Sequence, residues 1–213
     1  MTKEERLAKQ LEKLAEMKIP EAELRQKGYK AIAGVDEVGR GPLAGPVVAA
    51  AVIMPEDFDI PGIDDSKKLS EKKREELYEI IKEKAVAYSI GIVDHEVIDE
   101  VNILQATKLA MKKAIVGLPV KPDYVLFDAV KLDGIGVPQE AIIKGDAKVL
   151  AIAAASIIAK VTRDRMMVEY AKEYPWYAFE KNKGYGTKAH YEGIYAKGTC
   201  PIHRMTFLKN LKK

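Results

Sequence analysis

The feature that most constrains the fold of this chain is an uninterrupted apolar segment, Pro46–Met54, which is partly β-branched. A segment without polar alternation is typical of a strand that is buried on both faces. A glycine-rich turn at 39–45 joins it to a shorter apolar segment, 31–37, that ends in Asp36 and Glu37. Two strands connected so directly form a hairpin. The fold therefore requires a sheet with this hairpin inside it and covering layers on both faces.

After the hairpin, the chain alternates strand patterns with helix patterns. Strands are predicted over 85–93, 124–127 and 140–143. Helices are predicted after the caps Ser70 and Thr187, and over 94–116 and 147–174. This order predicts an α/β fold, a five-stranded mixed sheet flanked by helices, with a helical C-terminal segment.

The N-terminal segment has a different pattern from the rest of the chain. Leu7, Leu11 and Leu14 recur at helical spacing among charged residues, and Pro20 and Gly28 separate this stretch from the hairpin. We therefore expect residues 1–28 to form a helical N-terminal extension and residues 29–213 to form the main domain. Deletion of residues 1–26 is expected to leave the active site assembled, since every motif lies beyond them, and to weaken substrate affinity modestly.

Composition narrows the class of protein. Hydrophobic residues make up 47% of the chain and charged residues 31%, which is ordinary for a globular protein. No apolar run is long enough to cross a bilayer, the N-terminus lacks the apolar core of a secretory signal, and the lone Cys200 excludes an internal disulfide. These features predict a cytoplasmic protein with no membrane association. We separately expect the protein to be a monomer.

The net charge of +3 is unevenly distributed. Residues 180–213 carry eight basic and two acidic residues, whereas residues 31–179 have a net charge of −5. An acidic centre beside a basic tail fits a metal site that faces a polyanion. A merely solvated surface explains the same charges and is the commoner case.

Acidic residues occur where predicted strands and helices meet. Asp36 and Glu37 end the first strand, Asp128 follows the fourth, and Asp146 precedes the long helix. Each alone has a structural explanation, since strands often end in charge and Asp146 suits a helix N-cap. If the first and fourth strands are neighbours, Asp36 and Asp128 lie side by side. Clustered carboxylates need a cation, and oxygen ligands without a Cys/His set select Mg²⁺ or Mn²⁺. Two such ions can drive displacement at a phosphodiester.

The turn Gly39–Ala44 matches a dinucleotide-binding fingerprint, but a β-type run follows it where a helix would be required. A better interpretation is that Gly39 and Gly41 expose backbone groups to a sugar and thereby sense a 2′-hydroxyl. Lys67, in a loop, could contact phosphates, although an exposed lysine is usually just solvated.

The chain resembles the ribonuclease HII family, the type 2 ribonucleases H, from about residue 30 onward. The segments that carry the resemblance occur in the family's order: AGVDEVGRGPLAGPVV at 33–48, DDSKKL at 64–69, KGDAK at 144–148, AAASIIAKVTRD at 153–164, NKGYGT at 182–187 and PIHR at 201–204. The resemblance implies a ribonuclease H-like catalytic domain that needs divalent metal. It also implies cleavage of RNA in RNA/DNA hybrids, and nicking on the 5′ side of a ribonucleotide embedded in duplex DNA, which leaves a 3′-hydroxyl.

The resemblance also implies roles for individual residues. The metal-binding and catalytic carboxylates would be Asp36, Glu37, Asp128 and Asp146. Gly39, Arg40 and Gly41 would read the 2′-hydroxyl, and Tyr185 would pack on the sugar at the RNA–DNA junction. The alternative for Tyr185 is a loop aromatic that closes over the core, although Gly184 and Gly186 suit close approach to a ligand.

Two other functions fit the sequence less well, and several further residues have structural explanations. Another nuclease with a ribonuclease H-like fold would lack the Gly-Arg-Gly turn, and a non-catalytic RNA-binding module would have no use for clustered acids. Arg163 and Asp164 are expected to form a structural pair, and Trp176 to pack in the core. His190 and His203 are expected to be too isolated for a catalytic triad, and Cys200 to have no nearby base.

Overall fold

The computed structural model describes residues 2–209, so Met1 and residues 210–213, the ends of the two predicted segments 1–28 and 29–213, lie outside it. The strands are β1 Ile32–Val38, β2 Val47–Ile53, β3 Ala87–Val93, β4 Tyr124–Asp128 and β5 Gln139–Ile142. The helices are α1 Lys3–Gln26, α2 Glu71–Lys84, α3 His95–Val101, α4 Ile103–Val116, α5 Leu150–Glu173, α6 Phe179–Asn182 and α7 Lys188–Lys197.

The five strands form one mixed sheet in the order β3-β2-β1-β4-β5. β2 pairs antiparallel with both β1 and β3, whereas β1–β4 and β4–β5 are parallel. The predicted hairpin and the five-stranded mixed sheet are confirmed. Since β1 and β4 are parallel neighbours, their carboxyl ends meet at the same edge.

β2 is buried along its whole length. Val48, Ala50 and Val52 pack on the α5 side of the sheet, and the alternate residues, including Val47 and Ala49, pack on the α4 side. Successive side chains of a strand point to opposite faces of the sheet. Because helices cover both faces at β2, the side chains on both faces must be apolar. The uninterrupted apolar run is the direct consequence of this sandwiched position.

The approach of α5 to the sheet depends on Gly34 of β1. A Cβ atom at Gly34 would lie 2.1 Å from the backbone carbon of Ala151, in the first turn of α5. Only glycine allows the N-terminus of α5 to come this close to β1. This contact fixes the position of the turn that precedes α5, which carries Asp146.

The N-terminal helix differs from the sequence prediction in two ways. α1 continues through Pro20 to Gln26, and of the predicted leucine stripe only Leu14 is buried, while Leu7 and Leu11 are about half exposed. The buried residues of α1 are instead Leu14, Met17, Glu21 and Leu24, which lie against the core on the α5 side of the sheet. Because α1 packs along its second half, its buried residues lie there. Pro20 removes one backbone hydrogen bond, and this loss does not end the helix.

Two further predictions are wrong in detail. The single helix predicted over 94–116 is broken at Asn102, which has a φ of 72° and accepts hydrogen bonds from the N–H groups of Leu104 and Gln105, so it caps α4. Trp176 is 54% exposed and lies beneath the Lys197 ammonium, 5.2 Å from its ring centroid, rather than in the core. The neighbouring Tyr177 fills the buried position instead.

Candidate active site

Three aspartates from separate parts of the sequence meet at the carboxyl edge of the sheet. Asp36 lies near the end of β1, Asp128 is the last residue of β4, and Asp146 lies in the short 3-10 turn Gly145–Ala147. One carboxylate oxygen of each aspartate lies within 4.8 Å of the others. The side-by-side arrangement of Asp36 and Asp128 follows from the parallel pairing of their strands.

The turn that carries Asp146 is held to β4 by a hydrogen bond from its backbone to the side chain of Asp128. The N–H of Gly145 donates to Asp128 Oδ1 at 2.9 Å. Asp146 does not cap α5, because the N-cap position belongs to Val149, whose side chain makes no capping hydrogen bond. The N-cap alternative for Asp146 is therefore wrong, and its carboxylate is free to face the other two.

Burial and mutual repulsion both disfavour the ionised form of these carboxyl groups. Burial, followed by repulsion from Glu37 and Asp128, raises the pKa of Asp36 well above its usual range. Burial and then Asp128 likewise raise the pKa of Asp146. Carboxyl groups in this state are costly to ionise unless a cation neutralises them. Their oxygen atoms are the ligands that Mg²⁺ and Mn²⁺ prefer, so the residues fit a divalent metal site.

Glu37 lies beside the three aspartates rather than among them. Its Oε1 forms an ion pair with Arg40 Nη1 at 3.3 Å. Burial raises the pKa of Glu37, Arg40 lowers it, and Asp128 raises it further, which places Glu37 within electrostatic reach of the cluster. The ion pair with Arg40 therefore holds Glu37 at the side of the cluster.

Lys67 lies at the opposite rim of the same site. Its side chain is 80% exposed, and its Nζ lies 4.0 Å from Asp146 Oδ2. An open cleft of about 420 Å³ is lined by Lys67, Asp128 and Asp146, together with Asp65, which the sequence analysis did not single out for a role. Asp65 caps the turn that carries Lys67, since it accepts the N–H of Lys67 at 2.9 Å. The sequence signal that could have identified Asp65 is its position in the acidic pair Asp64-Asp65, which opens the motif at 64–69.

The predicted sugar-reading residues form a second rim. Gly39, Arg40 and Gly41 belong to the loop between β1 and β2, and a Cβ atom at Gly41 would lie 3.5 Å from Tyr185 Cε1. Tyr185 is 44% exposed, so the alternative that it closes over the core is wrong. The structure therefore brings together two loops that are about 140 residues apart in sequence.

Most of the chain, including these carboxylates and loops, matches a known protein family. A family model described as Ribonuclease HII matches residues 33–210. This chain belongs to the ribonuclease HII family. Curated relatives named ribonuclease HII include those of Acetivibrio thermocellus, 58% identical over 95% of this chain and 79% of that protein, and Clostridioides difficile, 57% identical over 96% and 80%.

Solved structures agree with the family assignment. The ribonuclease H2 of Pyrococcus horikoshii superposes with a TM-score of 0.70 at 30% identity, over 83% of this chain and 93% of that one. The ribonuclease HII in a PCNA complex from Archaeoglobus fulgidus gives a TM-score of 0.69 at 27% identity, over 86% and 98%. The ribonuclease H-like fold is thus confirmed, and the protein is a type 2 ribonuclease H, an endoribonuclease. No helix within residues 2–209 is long and apolar enough to cross a membrane.

In this ribonuclease HII, His190, His203 and Cys200 are in contact, contrary to the expected isolation. The two Nε2 atoms lie 3.0 Å apart, and Cys200 Sγ lies 3.1 Å from His203 Nδ1. Burial raises the pKa of Cys200 to about 11 and lowers that of His203 to about 4, so both groups are neutral at pH 7. A neutral thiol beside a neutral ring is not an activated nucleophile. His190 Nδ1 lies 2.9 Å from the carbonyl of Tyr185, so the cluster supports the Tyr185 loop.

The expected pair of Arg163 and Asp164 is also wrong. Asp164 pairs with Lys160 at 2.8 Å, one helical turn earlier. Arg163 is fully buried and donates its hydrogen bonds to backbone carbonyls instead. Adjacent residues on a helix point in different directions, so a sequence pair need not be a spatial pair.

Proposed function

We propose that this ribonuclease HII hydrolyses RNA in RNA/DNA hybrids and nicks duplex DNA on the 5′ side of an embedded ribonucleotide, leaving 3′-hydroxyl and 5′-phosphate ends. The observation that carries the proposal is the closeness of the Asp36, Asp128 and Asp146 oxygens, within 4.8 Å, at the edge of the sheet. The loop of Gly39–Gly41 and the side chain of Tyr185 flank that edge. Chemistry and sugar recognition thereby share one surface.

The proposed cofactor is a pair of Mg²⁺ or Mn²⁺ ions. Bound there, two divalent ions would activate water and neutralise the charge that develops on the leaving oxygen. Asp36, Asp128 and Asp146 would hold them, with Glu37 completing the set. A crystal structure of Bst ribonuclease HIII was determined in complex with Mn²⁺. That protein has the same fold, with a TM-score of 0.60 at 20% identity.

The remaining residues have proposed roles in binding nucleic acid. The amide groups of Gly39 to Gly41 would recognise the 2′-hydroxyl, and Tyr185 would lie on the sugar. Arg40 and Lys67 would contact phosphates, since both are exposed and lie on either side of the carboxylates. We also propose that the enzyme works in the cytoplasm as a monomer. Residues 1–28 are proposed to be an extension of the catalytic domain 29–213.

The test is cleavage of a DNA duplex that carries one ribonucleotide, compared with the same duplex in all-DNA form and with a continuous hybrid. We expect a nick on the 5′ side of the ribonucleotide in Mg²⁺ or Mn²⁺ and none in EDTA. Cleavage of all-DNA at a comparable rate would indicate a nuclease with the same fold but without sugar recognition. Binding without cleavage in any metal would indicate a non-catalytic module.

A further inference from the structure

Two fully buried guanidiniums lie beneath the loops that flank the carboxylates. Arg163 of α5 and Arg204, which precedes the last 3-10 turn, are both 0% exposed. Within residues 2–209 neither has a carboxylate at ion-pair distance, since the nearby Asp164 pairs with Lys160 and Asp99 accepts from Thr206. A buried cation without a counter-ion is costly unless its donors are all satisfied.

Backbone carbonyls satisfy these donors, and all but one of the carbonyls belong to the loop 39–46. Arg204 donates from Nη2 to the carbonyl of Gly39 at 2.6 Å, from Nη1 to that of Arg40 at 3.0 Å, and from Nε to that of Gly45 at 2.9 Å. One planar group thus holds both ends of the turn. A rigid fork of donors is what distinguishes arginine from lysine at such a position.

Arg163 joins the far end of this loop to the Tyr185 loop. It donates from Nε to the carbonyl of Pro46 at 2.8 Å, from Nη2 to that of Ala44 at 3.1 Å, and from Nη1 to that of Lys183 at 2.8 Å. Lys183 is two residues before Tyr185. Arg163 therefore ties the two loops together, alongside the hydrogen bond from the Leu43 N–H to the Gly184 carbonyl at 2.8 Å.

The inward carbonyls determine where the amide groups point. In a trans peptide the C=O of one residue and the N–H of the next point in opposite directions, and residues 2–209 contain no cis peptide. When Arg204 holds the carbonyls of Gly39 and Arg40, the N–H groups of Arg40 and Gly41 point away from it. Within the described chain these two N–H groups have no hydrogen-bond acceptor.

We infer that Arg204, braced by Arg163, is a positioning residue that aims the Arg40 and Gly41 amides at the 2′-hydroxyl of the substrate. This inference rests on the proposed function of the Gly39–Gly41 turn. The cost of burying two cations is offset by their hydrogen bonds to backbone carbonyls. The bound polyanion further compensates their charge.

Gly39 of the loop supports the inference. A Cβ atom at Gly39, which has a φ of +93°, would lie 2.3 Å from Arg163 Nε. Glycine at Gly39 is thus required both by its backbone conformation and by the guanidinium beneath it. Gly39 therefore leaves room for the Arg163 guanidinium in addition to its proposed role in binding the sugar.

The experiment compares equilibrium dissociation constants for two duplexes of one sequence, with and without a single ribonucleotide, in Ca²⁺ to slow cleavage. The variants are Arg204→Lys and Arg163→Lys. Arg165→Lys is the matched control, because Arg165 lies on α5 but is about half exposed and pairs with Glu75 and Glu79. Turnover in Mg²⁺ and the unfolding temperature are measured in parallel.

We expect Arg204→Lys to reduce the preference for the ribonucleotide duplex about tenfold, the effect of losing one hydrogen bond. Its affinity for all-DNA should stay within about twofold of wild type, because phosphate contacts are made elsewhere. Arg163→Lys should lose a smaller part of the preference, and Arg165→Lys none.

Equal weakening on both duplexes, or an unchanged preference, would overturn the inference. Failure of both buried-site variants to fold would also overturn it, since the guanidiniums would then serve stability alone. A wild-type enzyme that shows no preference would instead refute the proposed sugar recognition. The two failures are therefore distinguishable.

Discussion

At the scale of the residue, Asp128 has two duties that can be separated by an isosteric change. Its Oδ1 accepts the N–H of Gly145 at 2.9 Å, which orients the Asp146 turn, and its charge contributes to the cluster with Asp36. An asparagine keeps an oxygen for the first duty and removes the charge needed for the second. The structure thus provides a substitution that leaves geometry largely intact.

We expect Asp128→Asn to nearly abolish cleavage while the protein remains folded. In metal-free buffer the variant should unfold at a higher temperature than wild type, because it relieves carboxylate repulsion. The measurements are kcat/KM at saturating Mg²⁺ and thermal unfolding in EDTA. Asp133→Asn is the control, since Asp133 is fully exposed and pairs with Lys108 at 3.5 Å rather than with the carboxylate cluster. Near-normal activity of Asp128→Asn would show that the metal-ligand assignment is wrong.

Tyr185 offers a second test at this scale, because its ring and hydroxyl have separable effects. We expect Tyr185→Ala to damage cleavage at an isolated ribonucleotide more than on a continuous hybrid, since a hybrid offers many registers. Tyr185→Phe retains the stacking surface, which is worth roughly 1–3 kcal/mol, and should keep more activity. The measurement is kcat/KM for both variants on both substrates. Equal losses on the two substrates would assign the residue to loop stability.

At the scale of the element, α1 completes the N-terminus of α5. Glu21 is 1% exposed, and its Oε1 accepts the N–H of Ala151 at 2.8 Å, a donor left without a side-chain cap by Val149. Leu14, Met17 and Leu24 are buried alongside. Deletion of residues 1–26 would expose this surface, so we expect it to lower the unfolding temperature. Whether the active site stays assembled is measured by the turnover of the truncated, folded protein at saturating substrate.

The buried Glu21 predicts a particular dependence of stability on pH. Burial raises its pKa from 4.5 to about 7, and the contacts with Ala151 and Arg25 lower it only in part. The native state therefore holds this proton more tightly than the unfolded state, and the contribution of Glu21 to stability is lost as pH rises from 4.5 to 7. The full loss is about 3 kcal/mol.

Glu21→Gln keeps the oxygen acceptor and cannot ionise. We expect the unfolding free energy of the variant, relative to wild type, to increase between pH 4.5 and 7 and to level off above pH 7. Denaturant unfolding from pH 4.5 to 8.5 measures this difference, with Glu23→Gln on the exposed face of α1 as the control. Parallel curves for wild type and Glu21→Gln would contradict the assignment.

At the scale of the whole molecule, the cation links parts of the chain that are far apart in sequence. The proposed ligands come from β1, β4 and the turn before α5, so a bound ion joins the sheet to its covering helix. An ion that binds only the folded state stabilises it by about 2.7 kcal/mol at a hundredfold excess over its dissociation constant. Metal binding should therefore be visible in global unfolding without any substrate.

We expect Mg²⁺ and Mn²⁺ to raise the unfolding temperature of wild type in a saturable manner, and EDTA to reverse the rise. The rise should be much smaller in Asp128→Asn, which lacks one charged ligand. Thermal unfolding over a metal titration measures both effects, and Asp133→Asn should behave as wild type. A rise of equal size in Asp128→Asn would place the stabilising ion elsewhere.

The sequence by itself determined the strands and the residues at their ends. The apolar run at Pro46–Met54 is visible locally because burial on both faces requires it. The acidic residues near the ends of β1 and β4 are visible because each interrupts an apolar segment. The family motifs then identified Gly39–Gly41 and Tyr185. Such features are encoded within a few residues of themselves, as periodicity, caps and turns are.

Only the tertiary structure decided which side chains satisfy distant backbone groups. Arg204 holds the carbonyl of Gly45, 159 residues away, and Glu21 meets the N–H of Ala151, 130 residues away. The contact of His190 with His203 and the exposure of Trp176 likewise depend on how α7 packs. No local pattern marks such partners, because an arginine that holds a loop and one that faces solvent have the same sequence signature. The chain must fold before a buried donor finds its acceptor.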